Sequence, residues 1–244
     1  MNKHNYNKDV FYNEDSTSYY LLGAWMTDGC VYKSKDRPNR KTITLTSKDN
    51  DWLEKINNLI CADKPILKHG TNCYRLMYNS TKLADWLINH GCCQQKSLTL
   101  KFPYVPKDFL PDFIRGCWDG DGSLSFTKSA NKGKQYQAQA NLTSGSLTFC
   151  QDLCNVLVGF DVKCSVKKHG MEKRKIEGRE LAPSMCWRVV LSGGGSVFRL
   201  CKLLYTENSL SMPRKYNLAQ NIIAHRSVVK VYDAIPQTMS AMSE

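Results

Sequence analysis

The stretch Phe113–Leu124 reads FIRGCWDGDGSL, and a looser copy of it, YLLGAWMTDGCV, lies earlier in the chain at Tyr20–Val31. The copies align without a gap and share a glycine, a tryptophan and a closing Asp-Gly step, in the pairs Gly23 and Gly116, Trp25 and Trp118, Asp28 and Asp121, and Gly29 and Gly122. A tandem repeat of this kind predicts two similar half-domains that pack against each other. One carboxylate from each half can then meet at a shared site.

Each copy predicts a short, mostly apolar helix that ends at its Asp-Gly step. We expect the first helix to start near the Ser16–Ser18 cluster, because serine and threonine are good N-caps. The second is expected to start near Asp108, since Pro111 is tolerated only in a first turn.

The four glycines of the repeat have two expected roles. Gly29 and Gly122 suit a left-handed residue just past each helix end. Gly23 and Gly116 would let two helix backbones approach closely, so we expect the two helices to pack on each other.

The two acids that close the copies would repel each other. Asp28 and Asp121 would lie close together at the negative ends of their helix dipoles, which is unfavourable for both charges. A shared divalent cation removes this repulsion, and cations held by acids beside a phosphate commonly serve phosphodiester hydrolysis. The repeat therefore predicts a metal site.

The motifs LLGAWMTDG, at Leu21–Gly29, and IRGCWDGDG, at Ile114–Gly122, resemble the two motifs of the LAGLIDADG homing endonucleases in their single-chain form. The resemblance extends over about residues 11–220. It implies an α+β fold of two pseudo-symmetric αββαββα half-domains with saddle-shaped DNA-binding β-sheets. We expect an N-terminal half-domain with a leading arm at residues 1–104, a C-terminal half-domain at 105–226 and an irregular tail at 227–244.

The resemblance also implies a metal-binding set. In the family the last acid of each motif binds the metal together with the carbonyl of the preceding residue, which here gives Asp28 with Thr27 and Asp121 with Gly120. The implied cofactor is Mg²⁺, as two or three ions, with Mn²⁺ able to substitute and Ca²⁺ supporting binding without cleavage. Asp119 is not the second acid, because its counterpart in the first copy is Met26.

Further catalytic residues are implied by the resemblance alone. It points to the basic residue that opens the last helix of each half, Lys96 and Lys215, as the group that neutralises charge on the phosphate. Polar residues at the end of the second strand would orient water. Here TLTSKD offers Ser47 and Lys48, and NLTSGS offers Thr143 and Ser144, where the family more often has glutamine.

Periodicity predicts the remaining elements in the same order in each half. In the first half we expect strands at 41–46 and 73–78 and helices at 50–60 and 81–89. In the second half we expect strands at 123–127, 135–143, 162–168 and 186–191 and helices at 147–158 and 196–205. The charged stretch 171–183 is expected to form a hairpin or loop that either lies in solvent or contacts DNA.

Polar strands suit the reading of a DNA major groove, where Arg and Lys recognise guanine and Gln and Asn recognise adenine. The amide side chains of Gln135, Gln137 and Gln139 alternate on one face of their strand. The predicted DNA contacts are Lys33, Lys35, Arg37, Asn39, Arg40, Lys41 and Arg75 in the first half, and Lys128, Lys132, Lys134, Gln135, Gln137, Gln139, Lys173, Arg174 and Arg188 in the second.

Composition agrees with a nucleic-acid-binding protein. The 34 Lys and Arg outnumber 22 Asp and Glu, which gives a net charge of +12 and a pI near 9.2. No apolar run is long enough for a membrane span, and the N-terminus MNKHNYNKDV has no signal-peptide core. We expect an intracellular protein with no membrane partner, in the cytoplasm of a bacterium or phage-infected cell or in an organelle matrix.

The 11 cysteines do not form the paired Cys-x-x-Cys knuckles of a zinc site, and we expect them to be reduced core thiols.

The predicted function is site-specific, metal-dependent hydrolysis of both strands of double-stranded DNA by a monomeric homing endonuclease. Because the two halves differ in sequence, the target should be long and non-palindromic. Two alternatives stay open. The same scaffold serves in RNA maturases, whose partner is intron RNA, and in DNA-binding proteins without nuclease activity, which the intact acids of both motifs disfavour.

Overall fold

A computed structural model of the chain describes residues 4–33, 40–92, 98–128, 136–171, 174–176, 179–181 and 184–233. Within these ranges, residues 171–184 and 227–233 are described by their backbone alone.

The first half is a four-stranded antiparallel sheet with three helices. In chain order its elements are α1 Ser16–Thr27, β1 Gly29–Lys33, β2 Lys41–Ser47, α2 Asn50–Ile60, β3 Leu67–His69, β4 Cys73–Asn79 and α3 Thr81–Asn89. The strands lie in the order β1-β2-β4-β3. Asp15 caps α1 by accepting a hydrogen bond from Ser18 N at 2.8 Å, which agrees with the expected start.

The second half repeats this order and adds to it. Its elements are α4 Leu110–Asp121, β5 Gly122–Lys128, β6 Tyr136–Ser144, α5 Leu147–Gly159, β7 Cys164–Met171, β8 Arg174–Ile176, β9 Arg179–Leu181, β10 Ser184–Leu191, α6 Gly193–Leu204 and α7 Pro213–Asp233. The main sheet has the order β5-β6-β10-β7, and β8 and β9 pair as a separate antiparallel hairpin. Pro111 lies in the first turn of α4, as expected.

The expected α+β class and the αββαββα order of each half are confirmed. The charged stretch after β7 forms the expected hairpin. Two details differ. Strands β1 and β3 belong to the expected order but had no predicted bounds. Helix α7 continues to Asp233, so an irregular tail from residue 227 is wrong for its first seven residues.

Helices α1 and α4 pack side by side, and both end at the same edge of the molecule. Gly23 faces the backbone of Cys117, and Gly116 faces the backbone of Tyr20 and Ala24. A Cβ atom on Gly23 would lie 2.7 Å from Cys117 N, and one on Gly116 would lie 2.9 Å from Ala24 N. These distances leave no room for a side chain, so the expected close approach of the two helices is confirmed.

Gly29 and Gly122 differ from the expectation. Neither has a positive φ, and each starts the strand that directly follows its helix. A Cβ atom on Gly29 would lie 2.6 Å from Trp25 Cα, and one on Gly122 would lie 2.5 Å from Trp118 Cδ1. The glycine is therefore needed because the tryptophan one turn earlier packs over it, and the left-handed interpretation is wrong.

One continuous core joins the two halves. Trp25, Trp52 and Trp118 are fully buried, and helices from both halves contribute to the same cluster. The ten cysteines in the described part of the chain are free thiols, and none of them is exposed. Within that same part, no helix combines the length and the apolar character needed to cross a bilayer.

Replacing Gly116 with alanine should lower the free energy of unfolding by about 3 kcal/mol, because the new methyl group meets backbone that cannot rotate away. Gly159→Ala is the matched control, since Gly159 ends α5 and has nothing within 4 Å of its Cβ position. Urea unfolding followed by circular dichroism measures both. Equal stability of the two variants would contradict the close approach of α1 and α4.

Candidate active site and polar sheet faces

The two motif ends meet where α1 and α4 end together. Asp28 is the C-cap of α1 and is half-buried, while Asp121 is the last residue of α4 and is exposed. A Cβ atom on Gly120 would lie 2.7 Å from Thr27 Cβ and 3.5 Å from Asp28 Cγ. The end of each helix thus lies directly against the end of the other, as the repeat predicts.

This junction offers oxygen donors of the kind that Mg²⁺ prefers. The carboxylates of Asp28 and Asp121 and the main-chain carbonyls of Thr27 and Gly120 belong to the facing helix ends. Hard divalent cations are bound by carboxylate and carbonyl oxygens. The donor set therefore fits the expected metal ion.

Lys215 lies directly behind this junction. Its Nζ donates hydrogen bonds to the carbonyl oxygens of Trp118 at 2.7 Å, Asp119 at 2.7 Å and Gly122 at 2.6 Å, and it lies 3.5 Å from the carbonyl oxygen of Gly120. The last carbonyls of a helix have no partners within the helix. The ammonium of Lys215 serves as the hydrogen-bond donor to these carbonyls. Its positive charge also offsets the negative end of the α4 dipole.

The position of Lys215 agrees with the sequence prediction, because it lies in the first turn of α7, the last helix of its half. The side chain is only 3% exposed. Burial lowers the pKa of the ammonium to about 8, and the negative charges of Asp119 and Asp28 oppose this shift. Lys215 thus places a positive charge near Asp28 while it holds the end of α4.

Asp119 is a fully buried anion beside Lys215. Its Oδ2 accepts hydrogen bonds from Tyr20 Oη at 2.7 Å and Met212 N at 2.8 Å, and its Oδ1 accepts one from Tyr205 Oη at 2.9 Å. The hydroxyl of Tyr20 in turn accepts a hydrogen bond from Trp52 Nε1 at 2.6 Å. Burial raises the pKa of Asp119, and these donors oppose the shift. Asp119 ties the two halves together, which agrees with its exclusion from the metal set.

The serines at the ends of the second strands have a structural role. Ser47 and Ser144 are buried, and each hydroxyl accepts a hydrogen bond at 3.2 Å from the main-chain N–H two residues later, on Asp49 and Ser146. The expected role of Ser144 in orienting water stays a prediction. Lys48 is exposed just past the end of β2, where it borders an open groove.

Each sheet has one face packed on helices and one polar face. In β2 the buried side chains of Ile43 and Leu45 alternate with threonines, and in β6 the buried Ala140 and Leu142 alternate with polar residues. The polar face of the first sheet carries Arg40, Thr42, Thr44, Arg75 and Asn79, which line an open groove, and that of the second carries Gln137, Gln139, Asn141, Thr143 and Arg188.

Three predicted DNA contacts lie on the strand faces that pack on helices and not on the polar faces. Lys41 alternates with Thr42 and pairs with Asp85 of α3, and Lys33 lies opposite Lys41 in the ladder. Lys128 lies with its ammonium 5.8 Å from the ring centre of Tyr136. The pattern assigned these lysines to the polar face, whereas the structure places them on the face that packs on helices.

Several predicted contacts lie outside the described residues or have no described side chain. Lys35, Arg37, Asn39, Lys96, Lys132, Lys134, Gln135 and Lys173 are in the first group, and Arg174 of β8 is in the second. Residues 98–106 contain no α-helix, and the expectation that Lys96 opens a last helix lies outside the described residues.

The same three-residue cluster occurs on the polar face of each sheet. Arg75 Nε donates to Thr46 Oγ1 at 3.2 Å, and its Nη2 contacts Nε2 of His69. In the second sheet Arg188 Nε donates to Thr143 Oγ1 at 3.2 Å, and its Nη2 lies 2.8 Å from Nε2 of His169. We call each set a Thr-Arg-His cluster.

The comparisons with known proteins point to one fold. A family model described as a LAGLIDADG-like domain matches residues 15–61. The structure is similar to that of the LAGLIDADG meganuclease I-AabMI bound to uncleaved DNA, with 15% identity, a TM-score of 0.57 and coverage of 88% of this chain and 91% of that chain. The chain has the LAGLIDADG endonuclease fold.

Two further structures share this fold. Variants of the homing endonuclease I-DmoI match with 15% identity and a TM-score of 0.53, over 86% of this chain and 99% of theirs. I-SmaMI bound to uncleavable DNA matches with 12% identity and a TM-score of 0.55, over 88% of this chain and 91% of that chain. No curated protein sequence matches the chain. The resemblance drawn from the two motifs, to the single-chain form with both copies, is confirmed.

The LAGLIDADG repeat of this chain extends beyond its two helices, and the sequence holds the signal for the Thr-Arg-His clusters. The strands share Leu-Thr-Ser at 45–47 and 142–144, Cys-aromatic-Arg at 73–75 and 186–188, and Lys-His at 68–69 and 168–169. The pairings coincide as well, because Thr46 lies opposite Arg75 and Thr143 opposite Arg188. Comparing the halves strand by strand would have found both clusters.

Lys215→Met should lower the free energy of unfolding by about 3 kcal/mol, because it leaves buried carbonyls of α4 without a donor. Lys202→Met is the matched control, since Lys202 is exposed on α6. Thermal unfolding monitored by circular dichroism compares them. If Lys215→Met lost no more stability than Lys202→Met, Lys215 would not hold the end of α4.

Proposed function

We propose that this protein is a site-specific homing endonuclease that makes Mg²⁺-dependent double-strand breaks in a long, non-palindromic DNA target. The observation that carries the proposal is the meeting of one acid from each half at the shared end of two closely packed parallel helices. This arrangement supplies a pair of equivalent acids, one for each strand of a duplex. The LAGLIDADG endonuclease fold agrees with it.

Asp28 and Asp121, with the carbonyls of Thr27 and Gly120, would hold the metal ions. When bound, Mg²⁺ supplies a Lewis acid that polarises the scissile phosphates and activates water. The relatives make divalent metal chemistry reasonable, since I-DmoI structures include one with DNA and Ca and others prepared with Mn or Mg. The roles of Mn²⁺ as a substitute and Ca²⁺ as a binding-only ion, and the number of ions, belong to the same proposal.

Lys215 would act in two ways. By donating to the carbonyls of Trp118, Asp119 and Gly122, it would hold the end of α4 in place beside Gly120 and Asp121. Its charge also lowers the cost of bringing a phosphate next to two acids. Lys96, by resemblance, would supply the corresponding charge in the first half, and the exposed Lys48 would lie beside the DNA backbone.

The polar faces of the two sheets would read the target. Their side chains combine arginines and amides, the groups that recognise guanine and adenine edges. The net charge of +12 supplies a sequence-independent attraction for phosphates. The two halves have diverged, so each would read a different half-site, and one chain with both acids would be sufficient as a monomer.

Asp121→Asn and Asp28→Asn should each reduce cleavage of a bound duplex by more than about a hundredfold, because each removes a carboxylate that holds the metal. Duplexes selected from a random pool with Ca²⁺ and then exchanged into Mg²⁺ supply the substrate. Asp161→Asn is the matched control, since Asp161 is an exposed acid that pairs with Arg199 away from the junction. Binding in Ca²⁺ by all variants shows that they are folded.

Specific binding by the parent with no cleavage in Mg²⁺ would overturn the nuclease proposal and leave a DNA-binding protein without nuclease activity. Stronger binding to structured intron RNA than to any duplex would favour the maturase alternative.

The Thr-Arg-His clusters extend the proposal to particular residues. The threonine and the histidine hold each guanidinium through Nε and Nη2, which fixes the direction of its remaining donors. A guanidinium fixed in this way suits bidentate contact with a guanine. Because the clusters are related by the repeat, Arg75 and Arg188 would read equivalent positions in the two half-sites. An otherwise non-palindromic target would then carry one symmetric pair of G·C base pairs.

Arg75→Ala should relax the preference for G·C at one of these two positions, and Arg188→Ala at the other, each at a cost of about 1–3 kcal/mol in binding. Sequencing of selected duplexes measures both preferences. Arg199→Ala is the control, because Arg199 lies on α6 and pairs with Asp161. If each variant instead bound all DNA sequences more weakly to the same extent, the two arginines would be contacts to phosphates and not to bases.

A further inference from the structure

A cluster of three metal-binding side chains lies in the first half, where the N-terminal arm meets the end of α2. We define the arm as residues 4–7. Asn7 N donates to the carbonyl of Ile60 at 2.8 Å, and Asn7 Nδ2 donates to that of Leu59 at 3.2 Å. The ring of Tyr6 packs edge-on against Tyr78 at 5.8 Å. These contacts bring His4 to the residues that follow α2.

The side chains of His4, Cys61 and Asp63 converge there. Cys61 Sγ donates to Asp63 Oδ1 at 3.0 Å, and His4 Nδ1 lies 3.1 Å from Asp63 Oδ2. One ligand atom from each residue lies within 4.8 Å of the others. A tetrahedral Zn²⁺ ion with bonds of about 2.0–2.3 Å holds its ligand atoms about 3.3–3.7 Å apart. Small side-chain movements would therefore bring the three atoms around one ion.

The surroundings favour a cation. The cluster lies at the C-terminal, negative end of α2, whose last turn has no basic residue. Lys64 adjoins the cluster and opposes the cation, but the carboxylate of Asp63 offsets its charge. Cys61 is buried, whereas the side chain of Asp63 is 59% exposed. One side is thus open for the ion to enter and for water to complete the coordination.

The ligand types select the metal. A thiolate with an imidazole suits Zn²⁺ and related transition metals, whereas Mg²⁺ prefers oxygen donors alone. This cluster and the junction of Asp28 and Asp121 therefore differ in the ion they would take.

We propose that His4, Cys61 and Asp63 form a structural Zn²⁺ site that fastens the N-terminal arm to the end of α2. On binding, the thiol of Cys61 releases its proton to solvent, a Zn–S bond replaces the S–H bond, and no oxidation occurs. The proposal does not rest on the nuclease function, since it concerns only how the first half is held together.

Co²⁺ and Zn²⁺ titrations of the full chain, purified with chelator, test the site. The parent should show thiolate-to-cobalt charge-transfer absorption that one equivalent of Zn²⁺ abolishes, and Zn²⁺ should raise its Tm. Cys61→Ser and His4→Ala should lose the absorption and the Tm increase. Cys30→Ser is the matched control for thiol removal, since Cys30 lies on β1, and it should keep both.

Asp28→Asn should also keep both signals, which separates this site from the proposed nuclease site. Circular dichroism of each variant without metal shows whether it is folded. The cobalt absorption of the folded variants then shows which residues bind the metal. Absence of the cobalt absorption in the parent, or its persistence in folded Cys61→Ser, would overturn the proposal.

Discussion

The close approach of α1 and α4 is the constraint on which the rest of the structure depends. Two glycines, Gly23 and Gly116, remove the side chains that would hold the helix backbones apart. With the backbones in contact, the two helices end together, and both acids are delivered to one place. The sheets follow directly from the helix ends, because β1 and β5 begin at the next glycine. One short helix pair thus positions both the junction of the acids and the two sheets.

The junction would be electrostatically unstable without the groups behind it. Two acids and two negative helix ends lie together, and the buried Asp119 adds a further negative charge. Lys215 offsets this charge, and Tyr20, Tyr205 and Met212 N satisfy Asp119 with hydrogen bonds. The same contacts connect α1, α4 and α7. The second half therefore supplies most of the support beneath a site that both halves share.

The sequence was sufficient for the parts of this structure that depend on local pattern. Alternation and helical spacing predicted α2 and α3 to the residue, and the repeat predicted that Asp28 and Asp121 meet. Patterns of this kind do not say which face of a strand is buried where charged residues dominate, so Lys41 and Lys128 were assigned to the wrong side. The three exposed residues of β3 carry no alternation of burial.

Other differences depend on contacts between distant residues, which no local pattern contains. Gly29 resembles a left-handed helix cap until the tryptophan that covers it is known. Lys215 resembles an exposed lysine in a first turn, and only the fold shows that α4 surrounds its ammonium. Sequence reasoning was therefore reliable for which elements form and less so for what their polar side chains contact.

The hydrogen-bond network of Asp119 has a consequence for how the chain assembles. It is one-sided, because the counterpart of Asp119 in the first copy is Met26 and the counterpart of Tyr20 in the second is Phe113. If two second halves from different molecules paired, each Asp119 would face a phenylalanine, which cannot donate a hydrogen bond to it. A first half is the partner that satisfies the buried carboxylate. Pairing of two second halves is thereby penalised, and each second half is directed to pack against a first half.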